Sequence, residues 1–67
     1  MSQEFVRFLR RPEVESITGL KRSSLYAKIA SDEFPKPVKI GSRAVAWMLS
    51  EVMQWQESRV ATSRGNV

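Results

Sequence analysis

The chain has 67 residues, 42% of them hydrophobic, which is enough for one small folded domain and no more. It contains no Cys and no His, which removes disulfides, thiolate metal sites and the usual acid–base catalyst at neutral pH. The seven carboxylates show no metal-loop spacing, and 11 Lys and Arg give a net charge of +4, so a polyanion-binding protein is expected, with no catalytic residue, metal or cofactor.

Met1–Arg11 lacks an unbroken apolar core, so no signal peptide is expected. No run approaches the ~20 apolar residues that span a bilayer, and the cytoplasm is the expected compartment. Phe5-Val-Arg-Phe-Leu9 predicts an extended entry segment or a short strand. A basic cluster, Arg7, Arg10 and Arg11, overlaps it. Pro12 opens a helix running to about Thr18, because its missing N–H is not needed in a first turn. Glu13 and Glu15 favour the positive end of that helix, and Val14, Ile17 and Leu20 supply its inward face. Gly19 suits the left-handed position that stops it.

A second helix follows within two or three residues and runs from Arg22 to Ala30. At about 100° per residue, Leu25 and Ile29 point toward the first helix, while Ser23, Ser24, Ala27 and Ala30 point away. Exposed helix positions are ordinarily best filled by long charged residues, so this face of short side chains suits close approach to a groove. Pro35 forces Phe34 out of helical geometry, and Phe34 folds back as a core anchor. Pro37–Ile40 and Ala44–Trp47 predict two strands around Gly41-Ser42, with Gly41 in a positive-φ turn position. Alternation puts Val38 and Ile40 on one face and Lys39 on the other, with Val45 and Trp47 alternating likewise. Ser50 is the predicted N-cap of a third helix, from about Glu51 to Arg59, with Val52 and Trp55 turned inward. Trp47 and Trp55 are read as core residues. Ala61–Val67 has no periodicity and predicts a flexible tail, so the organisation is a single domain over 1–60 and a tail over 61–67.

The order is extended segment, helix, tight turn, helix, hairpin, helix. It predicts a mainly α fold with a small β-hairpin: a compact winged helix-turn-helix with three short helices. In such a unit the second helix enters the DNA major groove. Ser23 and Ser24 suit base edges or phosphates, and Arg22 suits a guanine edge or a phosphate. Lys21 and Lys28 flank the same face. Lys28, Lys39 and Arg43 are expected to hold the DNA backbone, with Ser42 beside them at the hairpin tip. Tyr26 lies about 80° from the core direction, either packing or turning its hydroxyl to the duplex.

These residues resemble the AlpA family of small phage and prophage DNA-binding regulators. The resemblance is carried by Thr18-Gly-Leu, Arg22-Ser-Ser-Leu-Tyr26, Phe34-Pro-Lys-Pro-Val-Lys-Ile-Gly41, Arg43-Ala-Val-Ala-Trp47, Ser50-Glu-Val and Trp55, and it spans about Leu9 to Arg59. It implies a short winged helix-turn-helix related to excisionase and MerR-type domains, with DNA contacts through Arg22, Ser23, Ser24 and Tyr26 and wing contacts near Arg43. Lys21 departs from the pattern, standing where members often carry Ser or a similar cap. A Lys side chain cannot accept from helix N–H groups, which puts the cap there in question.

The leading expectation is a sequence-specific, double-stranded-DNA-binding transcriptional regulator. Two other readings stand beside it: an excisionase-like protein that bends DNA for an integrase or other recombinase, and a protein-binding adaptor whose basic face docks an acidic partner. RNA polymerase is a further candidate partner, and self-association on DNA is compatible with all the DNA-binding readings. No long heptad pattern is read after the third helix, so a coiled-coil dimer is not expected.

Overall fold

The structure, a computed structural model, describes residues 6–65. Its elements in chain order are β1 (Phe8–Leu9), α1 (Arg11–Thr18), α2 (Arg22–Ala30), β2 (Val38–Lys39), β3 (Val45–Met48) and α3 (Leu49–Gly65). Three helices and a small antiparallel sheet form, the expected mainly α architecture and one consistent with a winged helix-turn-helix. Phe5 and residues 66–67 lie outside the described residues, so the start of the entry segment and the end of the expected tail are not covered.

Local chemistry sets the two helices of the helix-turn-helix. Arg10 is extended at the entry to α1, and the Glu13 carboxylate reaches back to accept its N–H at 3.2 Å. Within α1, Arg11 and Glu15 pair at 2.7 Å across one turn. Gly19 ends the helix with φ 78°, and its N–H donates to the Glu15 carbonyl at 2.8 Å. Thr18 tightens the turn: its hydroxyl donates to the Val14 carbonyl at 2.7 Å and accepts from the Leu20 N–H at 3.2 Å. Helix α2 then begins at Arg22 with no side-chain cap from Lys21. It closes with Asp32 at φ 62° in the left-handed position glycine usually takes. The Asp32 N–H donates to the Ile29 carbonyl at 3.1 Å and the Glu33 N–H to the Lys28 carbonyl at 2.7 Å.

Two indoles hold the chain as it leaves α2. Trp55 Nε1 donates to the Glu33 carbonyl at 2.7 Å, and Trp47 Nε1 donates to the Pro35 carbonyl at 3.0 Å. Phe34, between those carbonyls, is buried with its ring edge-on to Trp55 at 4.9 Å. The sheet is three-stranded in the order β1-β3-β2. Both pairings are antiparallel: Leu9 lies opposite Trp47, and Val38 lies opposite Ala46. Leu9, Val14, Leu25, Phe34, Trp47 and Val52 form one core cluster, drawn from β1, α1, α2, the α2–β2 connection, β3 and α3. Each such burial stabilises by about 1.5–3 kcal/mol. Loss of any one therefore loosens the contact of a different element.

Several sequence readings are corrected. The hairpin closes through Ile40 N–H to the Ala44 carbonyl at 2.9 Å, and Gly41 does not adopt a positive φ. A Cβ there meets only the Ala44 Cβ at an ordinary 3.6 Å. Strand β3 does not alternate in burial, because it is central in the sheet: Ala46 and Trp47 are both buried, with Val45 and Met48 half-buried. Ile40, one residue beyond β2, is exposed whereas Val38 is half-buried. Ile17 is also exposed rather than inward. At its level α3 presents a polar group, the Gln56 amide, which donates to the Ile17 carbonyl at 3.1 Å.

Helix α3 starts at Leu49, directly after β3, so Ser50 lies inside the helix instead of capping it. The Leu49 N–H donates to the Arg7 carbonyl at 2.8 Å, so a strand-like bond satisfies the first of the free N–H groups at the helix start. The helix continues past Arg59 to Gly65, and residues 57–65 are all exposed. Residues 61–65 are thus helical where an irregular tail was expected. No proline interrupts Ala61-Thr-Ser-Arg, and a helix needs no apolar periodicity to propagate once nucleated.

Candidate nucleic-acid interface

Helix α2 buries only Leu25 completely. Arg22, Ser23, Ser24, Ala27 and Ala30 are exposed, and the short side chains among them leave the helix backbone accessible. Tyr26 is 40% exposed, with its ring edge-on to the fully buried Trp47 at 6.5 Å. The core therefore fixes where that phenol stands. Lys21 is exposed at the entry to α2. On the hairpin, Lys39, Ser42 and Arg43 are all exposed.

Ion pairs divide the basic residues into two groups. Arg7 pairs with Glu13 at 3.7 Å, Arg11 with Glu15, Lys28 with Glu33 at 3.7 Å, and Lys36 with Asp32 at 3.5 Å. Among the described residues Arg10, Lys21, Arg22, Lys39 and Arg43, together with Arg59 and Arg64 on α3, have no such partner. The unpaired group carries the field available to a polyanion, and it includes four of the residues named from the sequence. Lys28 stands apart from them: it is half-buried and drawn to Glu33 at the closing end of α2.

One concavity of about 350 Å³ joins three elements. It is lined by Arg10, Arg11 and Pro12 at the start of α1, Tyr26 on α2, and Arg43 and Val45 of the hairpin. Tyr26 and Arg43, named from separate parts of the sequence, therefore share a surface. Arg10 and Arg11 were visible in the sequence only as a basic cluster. Pairing of β1 with β3 carries them to the hairpin, and that pairing is a long-range contact no local pattern announces. A second concavity, of about 420 Å³, is lined by Asp32, Glu33, Phe34, Pro35, Glu51, Gln54 and Trp55. Acidic side chains line this one and arginines line the other.

The family described as "Prophage CP4-57 regulatory protein (AlpA)" matches residues 7–60, the whole of the core and both concavities. The chain belongs to the AlpA family. AlpA is a prophage regulatory family by that description. This AlpA-family chain is also similar to an uncharacterized protein, ORF88, of Enterobacteria phage P4. The two are 49% identical over 55 residues, which cover 82% of this chain and 62% of the phage protein. The AlpA-family chain thus spans less than two thirds of the length of that relative. No helix among the described residues is long and apolar enough to cross a membrane.

Proposed function

We propose that this AlpA-family protein is a sequence-specific DNA-binding regulator of a prophage or related mobile element, acting in the cytoplasm. Helix α2 lies in the major groove and the β2–β3 hairpin follows the adjacent backbone as a wing. The observation that carries this reading is the exposed short-chain face of α2, flanked by the unpaired Lys21 and Arg22, with Tyr26 of the same helix sharing a surface with Arg43 of the hairpin.

An α-helix with its side chains is about 10–12 Å across, which matches a major groove about 12 Å wide. Short residues at Ser23, Ser24 and Ala27 let α2 approach the base edges, where the two hydroxyls can donate or accept. Arg22 has the reach and the fork geometry for a guanine edge. Lys39 and Arg43 meet phosphates, which set orientation and affinity without reading sequence. Ser42 adds a neutral donor at the tip. Lys28 contributes less than the other cations, because Glu33 already balances its charge.

Selection of bound duplexes from random DNA, repeated with Arg22→Ala, tests this reading. The unchanged protein should return a definite motif, and Arg22→Ala should relax it at one position with a cost of about 1–3 kcal/mol. Recovery of no motif by the unchanged protein, with binding indifferent to sequence, would contradict a specific regulator.

A further inference from the structure

We propose that the concavity between α1, α2 and the hairpin is a seat for a single DNA backbone phosphate, held between the guanidinium groups of Arg10 and Arg43 with the Tyr26 phenol on its wall. This rests on the DNA-binding reading and adds to it a residue, Arg10, that neither helix of the helix-turn-helix nor the wing supplies.

Four observations support the seat. Arg10, Arg11, Tyr26 and Arg43 line one surface although they come from distant parts of the chain. Arg10 and Arg43 have no ion-pair partner among the described residues, so their charge is available. The third arginine, Arg11, is held by Glu15 at 2.7 Å, which fixes it as a wall and leaves the concavity with the net charge of the other two. At the start of α1 the Arg10 N–H is already given to Glu13 and Pro12 has none, so neither of these backbone positions offers a donor and the arginine side chains supply the charge an anion would meet. Arginine forks match phosphate oxygens in a way a point charge does not.

The seat also has a positional consequence. Arg10 precedes α1, Tyr26 is inside α2 and Arg43 is on the hairpin, so one phosphate bound among them would fix all three elements to one point of the DNA backbone. That sets the register in which α2 meets the bases.

Two measurements on a duplex selected by the unchanged protein test the proposal, using Arg10→Ala, Arg43→Ala and the double variant. All three change exposed side chains, and unaltered thermal unfolding would confirm that they fold. In the first, single uncharged methylphosphonates are walked along each strand. The unchanged protein should be weakened at one phosphate to which both single variants are indifferent. In the second, the slope of log affinity against log salt should fall by about 0.9 in the double variant, as for one lost phosphate. Indifference of the two variants at different phosphates, or a slope change of about 1.8, would show two independent contacts and overturn the shared seat. Unchanged affinity and slope in Arg10→Ala, with Lys39→Ala still weakening binding, would overturn the seat and leave the DNA-binding reading standing. Failure of the unchanged protein to bind any duplex at low salt would overturn both.

Discussion

The ring of Tyr26 stands edge-on to the indole of Trp47, with centroids 6.5 Å apart and planes inclined at 60°. Trp47 is fully buried and Tyr26 is 40% exposed, so the pair runs from the centre of the core to the proposed DNA face. The two halves of the phenol can be separated by mutation. Tyr26→Phe keeps the ring and should leave stability within about 0.5 kcal/mol while weakening DNA binding if the hydroxyl faces the duplex. Tyr26→Ala also loses the aromatic contact, a further cost of about 0.5–1.5 kcal/mol in stability. Urea unfolding beside binding titration would read both effects.

The two tryptophans should differ sharply. Trp47→Ala removes the largest buried side chain and should cost about 3–5 kcal/mol. A chain of this length has a total stability of only about 3–10 kcal/mol, so much of the population should unfold. Trp55→Phe keeps an aromatic beside Phe34 and loses mainly the bond to the Glu33 carbonyl, worth about 1 kcal/mol. Circular dichroism with urea titration distinguishes the two.

The glycines make a similar pair. Gly19 has φ 78°, so Gly19→Ala forces a Cβ into the left-handed region and should destabilise by about 1–2 kcal/mol. Gly41→Ala should be neutral or slightly stabilising, since its backbone is not left-handed and its added Cβ meets only ordinary contact. Equal losses at the two positions in thermal unfolding would contradict the difference in backbone conformation.

These cases show what local sequence reveals and what it hides. Pro12, Gly19 and Pro35 mark boundaries by backbone chemistry that acts within a few residues, so the two helices of the helix-turn-helix were legible. Val14, Leu25, Phe34, Trp47 and Val52 were legible as core by spacing and size. Ser50 misled because the helix begins one residue earlier, at Leu49, whose N–H bonds to the Arg7 carbonyl beside β1 and so carries the β1–β3 pairing into the first helical residue. Ile17 misled because periodicity names a face but not what packs against it, and Gln56 arrives there from α3. Gly41 misled because a glycine at a hairpin tip permits a left-handed turn without requiring one. At the candidate site, exposure on α2 followed from helical phase. The convergence of Arg10 and Arg11 with Tyr26 and Arg43 depended on sheet pairing between β1 and β3, which joins residues far apart in sequence.

Lys28 and Lys39 carry equal charge but have different neighbours. Lys28 is 3.7 Å from Glu33, whereas Lys39 has no ion-pair partner among the described residues. Lys39→Ala should lower the salt dependence of DNA binding by about one contact, a slope change near 0.9, and Lys28→Ala should change it less. Fluorescence anisotropy at several salt concentrations gives both slopes. A larger change for Lys28 would place the closing end of α2, not the hairpin, on the DNA backbone.

The proposed seating of α2 in the major groove is tested most directly by methylation interference on a selected duplex. A methyl group on guanine N7 projects into the major groove and blocks a helix lying there. Nine helical residues are about 13 Å long and cover about four base pairs, so bound DNA should be depleted of N7-methylated guanines over one stretch of about that length. Arg22→Ala should relieve the depletion at one guanine. Undiminished binding to DNA methylated throughout the protected site would contradict a recognition helix in the major groove.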